Sequence, residues 1–137
     1  MLTSEQSGGS IAIHILNLEP GFSAGRHHHS NEEEFFFVLE CELEITIGSE
    51  TRVGGPGTFA YAPPYSTHAF TALDKACRVL HWNTPGGHER LGSAMQRLEG
   101  QDGVSREDTK GTMEAHEYFF HDEQVYIDAA ARLSGTK

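Results

Sequence analysis

Between Arg26 and Glu40 the chain reads RHHHSNEEEFFFVLE, three histidines, three glutamates and three phenylalanines in close order. On an extended strand side chains alternate, so His27 and His29 share one face and His28 takes the other. Same-face neighbours lie about 7 Å apart, close enough for two imidazoles to hold one ion. Glu34 stands an odd step of five from His29, which would put it on the wrong face of a continuous strand. The Ser30-Asn31 pair is a natural place for a turn or bulge that restores the parity. His27, His29 and Glu34 can then converge. A fourth ligand is available in GTFAYAPPYSTHAF, where His68 follows a double-proline turn. The competing reading is an exposed histidine run beside a solvated acidic face. Three neutral imidazoles and one carboxylate form a mixed nitrogen and oxygen set. It suits one divalent ion of iron, manganese, nickel, cobalt, copper or zinc, and includes the two-histidine, one-carboxylate grouping used by iron(II). A six-coordinate ion would keep two positions open for a substrate oxygen to be polarised. Glu34 would then serve as ligand and as catalytic proton acceptor.

These residues need a scaffold of strands. SIAIHILNLEPG, EFFFVLE, ELEITIG, ETRVGGPG, TFAYAPP, HAFTAL and CRVLHWNT each read as a strand bounded by glycine, proline or a polar turn. In ELEITIG, Leu43, Ile45 and Ile47 share one face. Segments of this length recurring about every ten residues indicate an antiparallel sandwich or small barrel. After TPGG the pattern turns helical in HERLGSAMQRLEG, TMEAHEYFF and DEQVYIDAAARLSG, with residues 100–111 as a polar linker. The expected organisation is a barrel over residues 1–90 and a helical extension over 91–137, packed on the barrel or on a partner chain. Phe36, Val38, Tyr61, Phe70 and Trp82 are candidates to line an apolar substrate pocket, and His81 could reach it. Their alternative is plain barrel core. His14 and His88 are further histidines without an assigned task, and so are His116 and His121.

Composition narrows the partners. The chain has 137 residues, enough for one domain with its own core. Its formal net charge is −10. Four basic residues face ten acidic ones up to Gly87, and six face ten beyond it. Such a surface repels phosphate backbones, so nucleic acid and anionic membranes are not expected partners. No apolar run reaches the roughly 20 residues of a membrane helix, and the amino terminus lacks a signal-peptide pattern. Two cysteines, Cys41 and Cys77, are not read as a disulfide framework, and they fit a reducing cytoplasm. No glycine-rich phosphate loop and no G-x-S-x-G motif is present.

Taken together, these residues resemble the cupins. The first cupin motif, G-x5-H-x-H-x3-4-E-x6-G, is met by Gly21, His27, His29 and Glu34, with Cys41 at the last glycine. The second, G-x5-P-x-G-x2-H-x3-N, is met by Gly57, Pro63 and His68, with Tyr65 at the glycine and Ala72 at the asparagine. The resemblance covers roughly residues 7–90, and the NTPGG segment is similar to that of quercetinase-like members. It implies an all-β double-stranded β-helix, a jelly-roll barrel, with a short carboxy-terminal helical appendage. It implies a metal held by His27, His29, Glu34 and His68, and a dioxygenase consuming oxygen with a small aromatic or enolic substrate. The alternatives within the resemblance are a non-redox cyclase, isomerase or decarboxylase of secondary metabolism, similar to polyketide cyclases, and a non-catalytic binding module. It also implies a homodimer of barrels paired edge to edge, which would cover exposed strand edges.

Overall fold

A computed structural model describes residues 1–99, 101 and 103–134; Gly100 and Asp102 of the expected linker and residues 135–137 lie outside the described residues. Eight strands come first: β1 (Ala12–Leu18), β2 (Ser23–His28), β3 (Glu33–Glu40), β4 (Leu43–Ile47), β5 (Glu50–Gly54), β6 (Phe59–Ala62), β7 (His68–Ala72) and β8 (Cys77–Thr84). Helices α1 (Glu89–Leu98) and α2 (Arg106–Ala115), a short strand β9 (Phe119–Phe120) and helix α3 (Gln124–Leu133) follow. Two antiparallel sheets form, ordered β1-β8-β3-β6 and β5-β4-β7-β2-β9. This is the expected double-stranded β-helix with a carboxy-terminal helical part.

Period-two burial builds the core. In β3, Glu34, Phe36 and Val38 are buried while Phe35, Phe37 and Leu39 lie on the other face. Phe36, Val38, Leu43, Ile45, Ala72, Cys77 and Val79 close the space between the sheets. Ala72, at the motif asparagine, is fully buried here. On the opposite face of the first sheet, paired positions bring Ile13 beside Trp82, Phe35 between Trp82 and Tyr61, and Phe37 between Leu80 and Phe59. Phe35 stacks on Trp82 with ring centroids 5.2 Å apart. The middle of that outer face is apolar, with Glu33 and Arg78 at the strand ends and Phe59 and Tyr61 exposed.

The extension departs from the expected pattern at two points. Helix α2 starts inside the stretch read as linker, because Ser105 and Asp108 form a reciprocal capping box that supplies its first turn. TMEAHEYFF is not one helix. It ends at Ala115, and Phe119 and Phe120 pair with His28 and His27 of β2 as an added strand. Met113, Tyr118, Tyr126 and Ala129 make a second small core against Leu91, Met95 and Phe120.

The cysteine reading is overturned. Cys41 and Cys77 form a disulfide, with Cα atoms 5.0 Å apart, a separation suited to such a bond. They are 36 residues apart in sequence, but the turn after β3 and the start of β8 meet in the sandwich. The pair therefore does not point to a reducing compartment. Among the described residues, no helix is long and apolar enough to cross a membrane.

Candidate metal centre

β2, β3 and β7 each bring ligating side chains to one point. A register shift between Ala24 and His27 re-aims the end of β2. The chain then turns through residues 29–32 and re-enters as β3, which places Glu34 on the inner face, as the parity argument requires. His68 opens β7 opposite His27. Tyr65 takes a left-handed backbone (φ 63°) where the motif has glycine, and its N–H donates to the His29 carbonyl at 2.7 Å. The two motifs are tied directly by that bond. Cys41, at the other glycine position, is also left-handed (φ 91°), at a cost of about 1 kcal/mol relative to glycine.

One ligating atom from each of His27, His29, Glu34 and His68 lies within 4.8 Å of the others. All four residues are buried, at 1–3% exposure. Each imidazole has Nδ1 against a main-chain carbonyl: His27 with Gly25 at 2.7 Å, His29 with Glu117 at 2.9 Å, and His68 with Ser66 at 2.9 Å. A carbonyl only accepts, so each Nδ1 carries the proton and each Nε2 presents a lone pair inward. His29 Nε2, His68 Nε2 and Glu34 Oε2 are buried and make no aligned hydrogen bond, although Nε2 of His68 and of His29 stand 2.6 and 3.4 Å from that oxygen. Buried acceptors aimed at one another are costly unless a cation lies between them. The donor set fits a divalent transition ion, and outer hydrogen bonds of this kind orient ligating histidines.

For His27 and Glu34 the electrostatics agree. Burial, with His68 beside it, pushes His27 down to about 3, so its ring is neutral. Burial alone would raise Glu34, but contacts from His29, His68 and His81 outweigh it and hold the carboxyl well below its ordinary range. His29 is raised, its burial overcome by Glu34.

Beyond this set, His81 Nε2 lies 3.0 Å from Glu34 Oε1 in an aligned hydrogen bond. His88 Nδ1 lies 3.3 Å from the same oxygen and 3.4 Å from Glu32 Oε2. Because His81 is aligned on its partner, whereas the inward atoms of the first set are not, His81 and His88 are read as partners of the carboxylates rather than as a second ion site. His14 stacks on His81, and its ring is pushed down to about 4, chiefly by burial.

A cavity of about 640 Å³ opens from the centre. Its foot has His27, Glu34, His81, His88 and Tyr118, and its walls include Leu16, Leu18 and Phe70 from the barrel with Met113, Phe120 and Val125 from the extension. Of the candidate pocket residues, Phe70 and His81 line it. Phe36 and Val38 are packed into the core. Tyr61 and Trp82 do not reach it: the period of β6 and β8 puts them on the outer face, stacked with Phe35. His28 points away, to His121 at 3.0 Å.

Sequence reasoning missed Glu32, His88, Glu117 and Tyr118. The Tyr118 hydroxyl touches both ring nitrogens of His88, and its ring packs edge-on to His29 with centroids 4.5 Å apart. Nothing in local spacing links residues 117–118 to residue 29.

Comparisons with known proteins agree with this geometry. The cupin domain family matches residues 14–83. None of the curated proteins compared matches the sequence. Among solved structures, a predicted oxalate decarboxylase from Thermotoga maritima aligns at 18% identity over 62% of this chain and 76% of its own, with a TM-score of 0.59. KdgF from Halomonas sp. aligns at 20% identity over 60% and 74%, with a TM-score of 0.57. The DMSP lyase DddQ from Ruegeria pomeroyi aligns at 27% identity over 56% of this chain and 39% of its own, with a TM-score of 0.51. The first two likenesses are of fold alone. With strand order, inward ligand set and a family match over just over half its residues in accord, the chain belongs to the cupin family.

Proposed function

We propose that the chain is a metal-dependent enzyme of quercetinase-like dioxygenase type, acting on a small aromatic or enolic molecule. The observation that carries this reading is the convergence of inward, tautomer-fixed ligand atoms at the foot of an apolar cavity. His27, His29, Glu34 and His68 would hold one divalent transition ion, which supplies Lewis acidity and, if redox-active, electron transfer to oxygen. The rest is done by the chain. Leu16, Leu18, Phe70, Met113 and Phe120 exclude water and fit a flat apolar body. Its histidine partners hold the Glu34 carboxyl low and ionised, so it takes a substrate proton only after leaving them, when its basicity rises.

A second reading is a lyase or isomerase without oxygen. It is favoured by the Tyr118 hydroxyl and His88 at the cavity foot, a pair suited to proton transfer, and by the likeness to a DMSP lyase. Flavonols with iron(II)-loaded protein test the two. Oxygen uptake matching substrate loss is expected; turnover that persists under strict anaerobiosis would replace the first reading by the second.

The chain is also proposed to be a homodimer, through the outer sheet face rather than through strand edges. The centre of that face is uncharged over Ile13, Phe35, Phe37, Phe59, Leu80 and Trp82, with Glu33 and Arg78 at the strand ends, so two copies of a chain of charge −10 can meet over an apolar middle. Phe59→Glu should convert a dimer to a monomer in light scattering. A wild-type monomer would contradict the proposal.

A further inference from the structure

We infer that Glu117 is a positioning residue of the metal centre, through which the carboxy-terminal extension completes a site the barrel cannot finish alone. The inference rests on the metal reading above and adds a residue outside the matched cupin region. Two of the three ligating histidines are oriented by carbonyls two residues back in the chain, Gly25 and Ser66. His29 alone takes its partner from a distant segment, the Glu117 carbonyl 88 residues away. The placement of that carbonyl therefore sets the tautomer and aim of His29.

Local structure says what fixes it. Helix α2 ends with Glu117 N–H donating to the Glu114 carbonyl at 3.1 Å and Tyr118 N–H to the Met113 carbonyl at 3.0 Å. This is the left-handed helix stop at which glycine is the favoured residue. Glu117 holds that position at φ 68°, so a glutamate stands where the backbone alone would favour glycine. Its carboxylate has a task there. Oε2 accepts from the Ser30 N–H at 3.3 Å and from the Ser30 hydroxyl. One residue thus grips His29 through its carbonyl and the next residue, Ser30, through its side chain. The surroundings hold the segment in register: β9 pairs with β2, His121 N–H donates to the Arg26 carbonyl at 2.9 Å, and Tyr118 packs on His27 and His29.

Because glycine suits the backbone at this position, Glu117→Gly separates folding from positioning. Chelator-stripped full-length protein would be titrated with Co(II), reading the dissociation constant and the visible cobalt bands, alongside thermal melting of the metal-free forms. Glu117→Gly is expected to melt at or above the wild-type temperature, yet to bind cobalt about 10–100-fold more weakly with altered bands. Ser30→Ala should weaken cobalt in the same direction. Glu117→Gln keeps an acceptor oxygen without the charge and should restore near wild-type affinity. Wild-type cobalt affinity in both Glu117→Gly and Ser30→Ala would overturn the inference and leave the metal reading standing. A Gln variant as weak as Gly would also overturn it, by assigning the effect to charge. A wild-type protein that takes no cobalt would overturn the metal reading and this inference with it.

Discussion

His68→Ala is expected to abolish stable metal binding, and with it turnover on either enzyme reading. His68 sits at the start of β7, opposite His27 in the sheet, and supplies one of three inward imidazoles. Its Nδ1 is committed to the Ser66 carbonyl, so its Nε2 presents a lone pair inward, beside Glu34 Oε2. Losing an outer hydrogen bond to a ligating histidine typically weakens metal about 10–100-fold. Losing the ligand itself should exceed about 100-fold. His28→Ala provides the comparison. His28 is adjacent in sequence to two candidate ligands but is directed to His121 and Phe119, so its loss should leave affinity within about twofold. Metal titration of the two variants side by side reads the difference. Wild-type affinity in His68→Ala would show that the site is not built as described.

The second large effect is on stability. Phe36 lies on the inner row of β3, two residues from Glu34, at 1% exposure. Its ring contacts Phe70, His81 and His68, with centroids 5.3, 5.0 and 6.4 Å away. Phe36→Ala removes a fully buried ring from between the core and the metal centre. Truncations of this kind cost about 3–5 kcal/mol, a large share of a domain's marginal stability. Denaturant unfolding of metal-free protein should show the midpoint falling with an unchanged slope. A loss below about 1 kcal/mol would contradict the placement of Phe36 in a packed core.

Much of this was legible in the sequence because the barrel writes itself in local patterns. Alternation located β1 and β4, with Pro20-Gly21 and Gly48 marking where they stop. The odd step between His29 and Glu34 required a break, and the chain turns there before β3 begins. The candidate ligand set was legible in part for the same reason: His27 and His29 stand at strand spacing, whereas Glu34 needed that break and His68 the resemblance to the second cupin motif. Other features depend on contacts that no spacing encodes. The Cys41–Cys77 bond joins a turn to a distant strand. Tyr61 and Trp82 look like pocket residues by type, but period two puts them outside. Glu117 and Tyr118 reach the site only because the extension folds back along β2, and His88 because α1 begins directly after β8.

The central claim is that His27, His29, Glu34 and His68 bind an ion. The most direct measurement is the elemental content of untagged protein purified without chelators, followed by Co(II) titration of stripped protein. The account predicts about one transition metal per chain, lost in His68→Ala. Protein that carries no metal and takes up none on titration would contradict it.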